Sequence, residues 1–236
     1  MRLDKFLSYV LDISRNDAKI LIKSKQIYIN DQLESNINLK INYETDKVSY
    51  REEILKYEPF IYLMVNKPVG YISSTSDKLL TVLDLVNEYK KHNLSIVGRL
   101  DKDSTGLILL TNDGDLLHKL KSPKYNIYKR YYVEVIGEFK ETFIERFIEG
   151  ISFNNKGTLY IARQAKLEII SKTEAYIEIS EGKFHQVKLM CASLGLEVVK
   201  LKREKIGSLE LDSSLGIGEY RKLTEEEVKN LKELVK

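Results

Sequence analysis

The sequence predicts an α+β protein in which a small mixed α/β unit precedes a larger unit, built on a mainly antiparallel mixed sheet flanked by helices. Two observations support this prediction. In the later part of the chain, strand-like segments outnumber helical ones and follow one another closely, which favours local antiparallel pairing. The pattern also changes at KYEPF, around Pro59, which indicates a boundary. We therefore expect domains at residues 1–58 and 59–236.

The N-terminal unit is predicted to contain two short helices, a turn and two strands. Apolar residues between Leu3 and Val10 recur at helical spacing, and Ser14 stands before NDAKILIKS as an N-cap precedes an apolar-periodic run. QIYIN then alternates as a strand does, and Asn30-Asp31 is a turn signal before a second strand. A unit of about 55 residues is small but able to fold alone.

The larger unit combines several strands with fewer helices. IYLMVN indicates a buried strand and NKPVG a turn, and TVLDLVNEYKKH indicates an amphipathic helix that begins with a capping box at Thr81 and Asp84. The last helix has acids at its start and lysines at its end, as the helix dipole favours. The other elements are strands at GLILLT and YYVEVIG, a helix at ETFIERFIEG, strands within LYIARQAKLEIIS and at AYIEIS, and helices at HQVKLMCASLG and TEEEVKNLKELVK.

Composition excludes several classes of protein. The chain of 236 residues has a net charge of +3, with 43% hydrophobic and 31% charged residues, as soluble globular proteins do. No apolar run reaches the length of a membrane span, and charges within the first five residues argue against a signal peptide. One cysteine and three scattered histidines predict neither a disulfide nor a metal site. We expect a cytoplasmic monomer without metal or cofactor.

Basic residues are unevenly distributed along the chain. Residues 1–27 carry six basic side chains against three acidic ones. Phosphate binding depends on such patches more than on net charge, although each patch is equally consistent with a solvated surface. Two further clusters comprise Lys119, Lys121, Lys124, Lys129 and Arg130, and Lys200, Lys202, Arg203 and Lys205.

The segment GRLDKDSTGLILLTNDG and the aspartate that follows it place four carboxylates around a buried strand. Asp113 lies in a turn before a helix and Asp115 in the first turn of that helix, where capping and the helix dipole account for them. Asp103 is expected to hydrogen-bond its own backbone in a loop. Asp101 differs because it stands at the edge of the sheet, partly shielded from water. The residues alone leave a structural and a chemical role for Asp101 open.

A second segment, EGKFHQVKLMCASLG, offers Asp101 a partner. At 100° per residue, Lys188 lies on the flank of the predicted helix, from which its side chain either snorkels to water or reaches a carboxylate. In the second case it would keep Asp101 ionised below the reference pKa of about 3.9. Leu189 points away from the core and is expected to be exposed. The apolar stripe of the helix comprises Val187, Met190, Cys191 and Leu194, with Cys191 as a small core residue.

A third segment, KRYYVEV, places an aromatic side chain inside the sheet. Alternation along a strand puts Tyr131 on the same face as Val133 and Val135, with Arg130 and Tyr132 on the other face. Tyr131 is therefore either an ordinary core tyrosine or a platform for a flat ligand.

Together these segments resemble the bacterial ribosomal RNA pseudouridine synthases of the RsuA type. GRLDKDSTGLILLTNDG is similar to the main signature of that family, and NKPVG, EGKFHQVKLM and GEYRKLTEEEV are similar to its other motifs in the same order. MRLDKF and SRNDAKILIK resemble the small RNA-binding module shared with ribosomal protein S-four. The resemblance covers more than 200 residues and implies a two-domain enzyme: an S-four-like RNA-binding domain followed by a synthase domain.

The resemblance implies roles for four residues and a reaction that needs no cofactor or metal. Asp101 becomes the catalytic aspartate, Tyr131 stacks on the target uracil, Lys188 is the basic partner of Asp101, and Arg99 holds the nucleotide or neutralises phosphates. The uracil base is detached from its ribose, turned and rejoined through carbon 5. Whether Asp101 acts as a nucleophile or a general base stays open.

The expected substrate is 16S ribosomal RNA, and the alternatives are the same reaction on 23S rRNA or a non-catalytic ribosome-assembly factor. The family commonly has a second basic residue at the position of Leu189, so a phosphate contact is expected to be lost there. The expected RNA contacts are Arg2, Lys5, Arg15, Lys19, Lys23, Arg99, Lys129, Arg130, His185, Gln186, Lys202 and Arg203.

Overall fold

The chain forms two compact units, Met1–Pro59 and Phe60–Lys236. The computed structural model describes residues 1–89 and 92–236, and it confirms the predicted α+β class with mostly antiparallel strands. Each unit has its own sheet and its own hydrophobic core.

The N-terminal unit follows the predicted order of two helices and short strands. The side-chain oxygen of Ser14 accepts a hydrogen bond from the backbone N–H of Asp17 at 3.1 Å, so it is the N-cap of the second helix. Asn30 and Asp31 form the turn with φ of 51° and 64°, which these two residue types tolerate. The four strands pair in the order β2-β1-β3-β4. The elements are α1 (Leu3–Val10), α2 (Arg15–Lys23), β1 (Ile27–Ile29), β2 (Gln32–Glu34), β3 (Val48–Tyr50) and β4 (Glu53–Ile54).

The larger unit is built on one mixed sheet with the strand order β11-β12-β8-β13-β7-β5-β15. β14 also pairs with β13, β6 pairs with β7, and β9 and β10 form a separate hairpin. The elements are β5 (Tyr62–Lys67), a 3-10 helix (Val82–His92), β6 (Ser95–Val97), β7 (Thr105–Thr111), α3 (Gly114–Lys121), a short 3-10 helix (Pro123–Tyr125), β8 (Lys129–Ile136), α4 (Thr142–Glu149), β9 (Ser152–Asn155), β10 (Thr158–Ile161), β11 (Lys166–Ile169), β12 (Glu174–Ile179), α5 (Gln186–Ser193), β13 (Glu197–Ile206), β14 (Leu209–Glu210), β15 (Tyr220–Lys222) and α6 (Glu225–Glu233).

Strand β7 lies at the centre of the larger unit and is buried on both faces. Leu107 and Leu109 belong to one hydrophobic cluster, which includes residues of α3 and α6, and Ile108 and Leu110 belong to the other. This explains why GLILLT is a continuous apolar run rather than an alternating one. β13 runs parallel to β7, whereas the other strand pairs along this sheet are antiparallel.

The predicted helix at TVLDLVNEYKKH is present, and the structure shows that it is a kinked 3-10 helix. Its capping box at Thr81 and Asp84 is present, but the segment Val82–His92 is a 3-10 helix with non-helical dihedrals at Val86. Val82 and Val86 are both buried. At three residues per turn, a regular 3-10 helix would rotate Val86 away from the face of Val82, and the kink returns it to the core.

Candidate active site

The loop that carries Asp101, residues 98–104, is held by the buried side chain of Lys67. This Asp101 loop joins β6 to β7, and Lys67 stands at the end of β5 with no solvent exposure. The Lys67 Nζ atom donates to the carbonyl oxygens of Ser104 at 2.7 Å, Pro68 at 3.0 Å and Lys102 at 3.4 Å. Carbonyl groups that an irregular loop leaves without strand partners are therefore paired by a side chain.

Arg203 of β13 donates hydrogen bonds to the backbone at the start of the same loop and to β7 beyond its end. Its Nη2 donates to the carbonyl of Gly98 at 2.7 Å, its Nη1 to that of Arg99 at 3.4 Å, and its Nε to that of Leu107 at 2.8 Å. Arg203 is fully buried, and its backbone carbonyl lies where a Cβ on Gly106 would be, so only glycine fits there. The guanidinium and Gly106 together lock β13 against β7 and the start of the Asp101 loop.

Ser73 fixes the backbone immediately before Asp101. Its hydroxyl donates to the carbonyl of Leu100 at 2.7 Å and accepts from the backbone N–H of Leu100 at 2.9 Å. Sequence analysis did not identify Ser73 or Lys67 as site residues, since neither belongs to a periodic pattern. For Lys67 one signal was present: a lysine at the end of an otherwise buried strand, YLMVNK.

Two basic side chains face the carboxylate of Asp101, whose side chain is 27% exposed. His185 Nε2 lies 3.3 Å from Oδ1, and Lys188 Nζ lies 3.7 Å from Oδ2. Lys188 therefore reaches Asp101, as the helical geometry allows. Its shorter contact, however, is with Asp103 Oδ1 at 2.6 Å.

Asp103 thus has a role beyond the loop hydrogen bond that the sequence predicts. The hydrogen bond from Lys188 lowers the pKa of the Asp103 carboxyl, so that this carboxyl stays ionised beside the site. Burial lowers the pKa of Lys67 to about 8, although Asp103 and Asp101 attract its charge. The Asp101 loop therefore carries two carboxylates, and the basic side chains of Lys67, His185 and Lys188 contact this loop.

His185 is presented by an unusual backbone conformation at the start of α5. It has φ of 52°, which is uncommon for a residue other than glycine, and it occupies the N-cap position. Its ring stacks on that of Phe184, with centroids 3.7 Å apart and planes 18° from parallel. The imidazole is therefore held between an aromatic ring and the carboxylate of Asp101.

Tyr131 faces inward on β8, as alternation predicts. It is 7% exposed and shares its face with the buried Val133 and Val135. In the register of the sheet it lies between Arg203 of β13 and Ile177 of β12. The Arg203 guanidinium carbon is 6.0 Å from the centre of the Tyr131 ring.

A cavity of about 480 Å³ brings Asp101 and Tyr131 together. Burial lowers the pKa of Lys129 to about 8, and its Nζ donates to the carbonyl of Ile127 at 3.0 Å. Asp101 is the acidic member of the lining, whose basic members outnumber it. These are Arg99, Lys121, Lys129, Lys183, His185 and Arg203.

The structure corrects the expected RNA contacts of Arg203 and Gln186. Both are buried, and their polar atoms are used inside the protein. Gln186 accepts from the backbone N–H of Lys183 at 2.9 Å and donates to Glu181 at 2.6 Å. The sequence does not show this, because neither a cluster of basic residues nor a family motif reveals which side chains point into the core.

Arg130 and Lys202 are also placed differently from the expected RNA-binding group. Both lie on the sheet face opposite Tyr131. Arg130 directly precedes Tyr131, and Lys202 directly precedes Arg203, and neighbouring residues of a strand point to opposite faces. Arg130 pairs with Glu168 at 2.9 Å and Lys202 with Glu204 at 3.1 Å. Neither lines the cavity, and that face carries charges of both signs.

In the N-terminal unit, two of the five expected cations are paired with a buried acid. Arg2 and Arg15 each contact Asp4, which has no exposure, at 3.0 Å, and these contacts lower the pKa of its carboxyl below the usual range. Lys5 and Lys23 are exposed, while Lys19 is half-buried. The arginines thus link α1 to α2, and the lysines face solvent.

Leu189 corrects a further expectation. It is half-buried and packs against the main core of the larger unit, rather than standing exposed. An ideal helical wheel places Leu189 away from the apolar stripe, but other segments of the same protein pack against that side of α5 as well. Cys191 is fully buried, as predicted, and burial raises the pKa of its thiol to about 12.

The described residues contain no group of three or more His, Cys, Asp or Glu side chains able to hold a metal ion. Over the same residues, no helix combines the length and apolar character needed to cross a membrane.

Comparison with known proteins identifies the family. The sequence model described as RNA pseudouridylate synthase matches residues 61–193. The chain is 41% identical to a Vibrio cholerae protein named ribosomal small subunit pseudouridine synthase A, over 98% of this chain and 99% of that protein. It is 38% identical to an Escherichia coli protein of the same name, over 97% and 98% of the two chains.

A solved structure gives the same result. The crystal structure of a pseudouridylate synthase, 37% identical in sequence, superposes with a TM-score of 0.69 over 98% of this chain and 99% of that chain. The resemblance to RsuA-type enzymes is therefore confirmed by sequence and by fold. The chain belongs to the family of RNA pseudouridylate synthases, enzymes that convert uridine in RNA to pseudouridine.

Proposed function

We propose that this chain acts as a cytoplasmic monomer that isomerises one uridine of 16S ribosomal RNA, with Asp101 as the reacting group. The observation that carries the proposal is the cavity in which Asp101 and Tyr131 meet among basic side chains. The 16S assignment is supported by the relatives named ribosomal small subunit pseudouridine synthase A.

The cavity suits a base that has left its stack. Extruding a uridine costs roughly a few kcal/mol, and an aromatic platform with nearby cations offsets that cost. Tyr131 provides the ring, and Arg99, Lys121 and Lys129 provide positive charge for the flanking phosphates. Phosphate contacts of this kind position an RNA without reading its sequence.

The reaction breaks the bond between N1 of uracil and C1′ of ribose and forms a bond between C5 and C1′. C5 loses a proton and N1 ends with one, so no atom is gained or lost overall. An ionised Asp101 serves either as the nucleophile or as the general base in this exchange. His185 and Lys188, at 3.3 and 3.7 Å, stabilise its charge, and the Asp101 loop fixes its position.

The N-terminal unit is proposed to be an S-four-like RNA-binding domain covering residues 1–58. Its exposed Lys5 and Lys23 and the half-buried Lys19 lie on the two helices. Arg2 and Arg15 retain 41% and 55% side-chain exposure despite their contacts with Asp4, so they remain accessible to a phosphate. Such contacts make affinity depend on salt and add to the positioning of the RNA.

The test is to map pseudouridines in rRNA from cells that lack this protein, by carbodiimide treatment and primer extension. A pseudouridine missing from 16S rRNA and restored by the wild-type gene supports the proposal. One missing from 23S rRNA instead, or no change in either RNA, overturns the 16S assignment.

Asp101→Asn is expected to abolish restoration, with a loss of at least about 10²-fold in turnover, because the amide can act as neither nucleophile nor base. Affinity for 16S rRNA should stay within a few-fold of the wild type. Asp115→Asn is the matched control, since Asp115 is an exposed helix carboxylate paired with Lys119. Turnover retained by Asp101→Asn would refute the assignment of Asp101.

A further inference from the structure

Phe184 is an aromatic side chain that the fold leaves exposed beside the reacting carboxylate. It precedes α5 and is 53% exposed, although the cavity it helps to line also contains Asp101. Its ring stacks on His185 at 3.7 Å, and His185 lies 3.3 Å from Asp101. The imidazole therefore lies between the Phe184 ring and Asp101, and the Lys156 ammonium stands over the same ring.

The backbone around Phe184 is held in place before any ligand binds. The carbonyl of Phe184 accepts from the Asn155 side chain at 3.1 Å, which ties the loop to the β9–β10 hairpin. The side chain of Gln186 bridges Lys183 and Glu181 across the same turn. A ring fixed in this way loses little conformational freedom on binding, so stacking on it is favoured.

Two lysines accompany this ring: Lys156 lies over it, and Lys183 precedes Phe184 in the chain. The Lys156 ammonium lies 4.9 Å from the centre of the Phe184 ring, and the Lys183 ammonium lies 4.6 Å from the centre of the Tyr160 ring. Neither lysine forms an ion pair with any carboxylate among the described residues. An aromatic face flanked by uncompensated cations fits a nucleotide, which presents a flat base and a phosphate together.

We propose that Phe184 stacks the base of a nucleotide next to the target uridine, while Lys156 and Lys183 contact its phosphate. Tyr131 holds the reacting uracil inside the cavity, and Phe184 holds the neighbouring base at the mouth. The inference rests on the proposed function, and it adds a second base-binding position to the site. Phe184 is a substrate-positioning residue here, since it touches RNA but not the reacting atoms.

Binding is measured first with a fluorescein-labelled twelve-nucleotide oligouridylate, in an Asp101→Asn background that prevents turnover. Phe184→Ala is expected to weaken binding by roughly 5- to 150-fold, the range of one base-aromatic stacking contact. Phe184→Tyr should stay within about 3-fold of the parent, because it keeps the aromatic face. Phe184→Leu keeps apolar bulk without that face and should resemble Phe184→Ala.

Phe60→Ala is the matched control. Phe60 is also a half-exposed phenylalanine with a lysine over its ring, Lys232 at 5.9 Å, but it does not line the cavity. Its replacement should leave affinity unchanged. Equal affinities for the parent and for Phe184→Ala, in variants whose thermal unfolding matches that of the parent, would overturn the proposal.

A second comparison assigns the nucleotide. The probe is a 16S rRNA stem-loop spanning the uridine located by mapping, with the base on its 5′ or 3′ side intact or abasic. Phe184→Ala should weaken binding of the intact probe but not of one abasic probe; an equal effect on all three excludes stacking on a neighbour. If mapping finds no 16S target, the proposed function fails, and the oligouridylate measurement still decides whether Phe184 stacks on RNA.

Discussion

Lys188 is shared between two carboxylates that stand two positions apart in the chain. Its ammonium is 2.6 Å from Asp103 and 3.7 Å from Asp101, and its side chain is 21% exposed. A hydrogen-bonded ion pair at the shorter distance is stronger than a purely coulombic contact at the longer one. Asp103 therefore draws Lys188 partly away from Asp101, the proposed reacting carboxylate.

Replacing Asp103 by Asn should test this arrangement. Without the anion at position 103, Lys188 is free to pair closely with Asp101, and a closely paired carboxylate is a weaker nucleophile and base. We expect turnover on 16S rRNA to fall by about 3- to 30-fold, less than the loss expected for removal of the reacting group itself. Single-turnover kinetics at saturating enzyme measures the effect.

The Asp103 side chain is 71% exposed, so stability should change by less than about 1 kcal/mol. Asp115→Asn makes the same charge change at a similarly exposed carboxylate and should leave turnover unaltered. Turnover equal to wild type in Asp103→Asn would show that the position of Lys188 does not depend on Asp103.

The contact between Lys188 and Asp101 that the sequence allowed is present, but the competing contact with Asp103 was not predicted. Helical periodicity places Lys188 on the flank of α5, from which its side chain is long enough to reach either carboxylate. The choice between Asp101 and Asp103 depends on how residues 98–104 turn, and that turn is set by Lys67, Ser73 and Arg203. These three residues lie outside the loop in the sequence, so the pattern of the loop itself does not show that they hold it.

At the level of elements, the parallel pair β7 and β13 supports the Asp101 loop. In its register Gly106 faces Arg203, and a Cβ on Gly106 would lie 2.2 Å from the Arg203 carbonyl oxygen. The backbone of Gly106 also has φ of 99°, which side chains rarely adopt. The close approach lets the Arg203 guanidinium reach the carbonyls of Gly98 and Arg99.

Gly106→Ala should therefore separate the two strands. We expect a loss of roughly 1–3 kcal/mol in the free energy of unfolding from overpacking, in addition to the cost of the positive φ. Urea denaturation measures the change. Gly157→Ala is the control, because Gly157 also has a positive φ, 83°, but has no atom near its missing Cβ. Equal losses of unfolding free energy in the two variants would mean that the added methyl group at position 106 does not clash with β13.

Helices and strands were predicted best where the spacing of apolar residues over a few positions is enough to specify them. The strands β5, β7, β8 and β12 and the helices α1, α2 and α5 coincide with the predicted segments to within about two residues at each end. The sequence predicted a helix over the segment Val82–His92 but not its type, because a 3-10 helix and an α-helix share similar apolar spacing over one or two turns. Burial of both Val82 and Val86 in the core determines the kinked form.

At the level of the whole molecule, buried lysines couple stability to pH. The pKa of Lys67 is lowered to about 8 by burial, and so is that of Lys129, whereas free lysine titrates near 10.4. Between about pH 8 and 10 the unfolded chain therefore binds more protons than the folded one. By linkage, the free energy of unfolding rises with pH in this window.

We predict that stability and RNA binding change in opposite directions above pH 8. Urea denaturation from pH 7 to 9.5 should show the free energy of unfolding rising by up to about 1.4 kcal/mol per pH unit from Lys67. Filter binding of 16S rRNA should weaken over the same range as Lys129 in the cavity loses its charge. Lys129→Arg, which stays charged, should shift the decline in affinity to higher pH.

If stability and affinity fell together, ordinary alkaline unfolding would explain both and this prediction would be contradicted. An unchanged affinity profile in Lys129→Arg would remove Lys129 from the RNA-binding surface.

The sequence by itself determined the α+β class, most of the elements, the inward orientation of Tyr131 and, through its motifs, the family. These properties depend on local periods and on short segments that can be recognised in isolation. The tertiary structure alone decided that Lys67, Ser73 and Arg203 hold the Asp101 loop, that Asp103 shares Lys188, and that Lys202 pairs with Glu204 on the face away from the cavity. Hydrogen bonds and burial between distant residues depend on how the strands pair in space, and one-dimensional patterns carry no record of those distances.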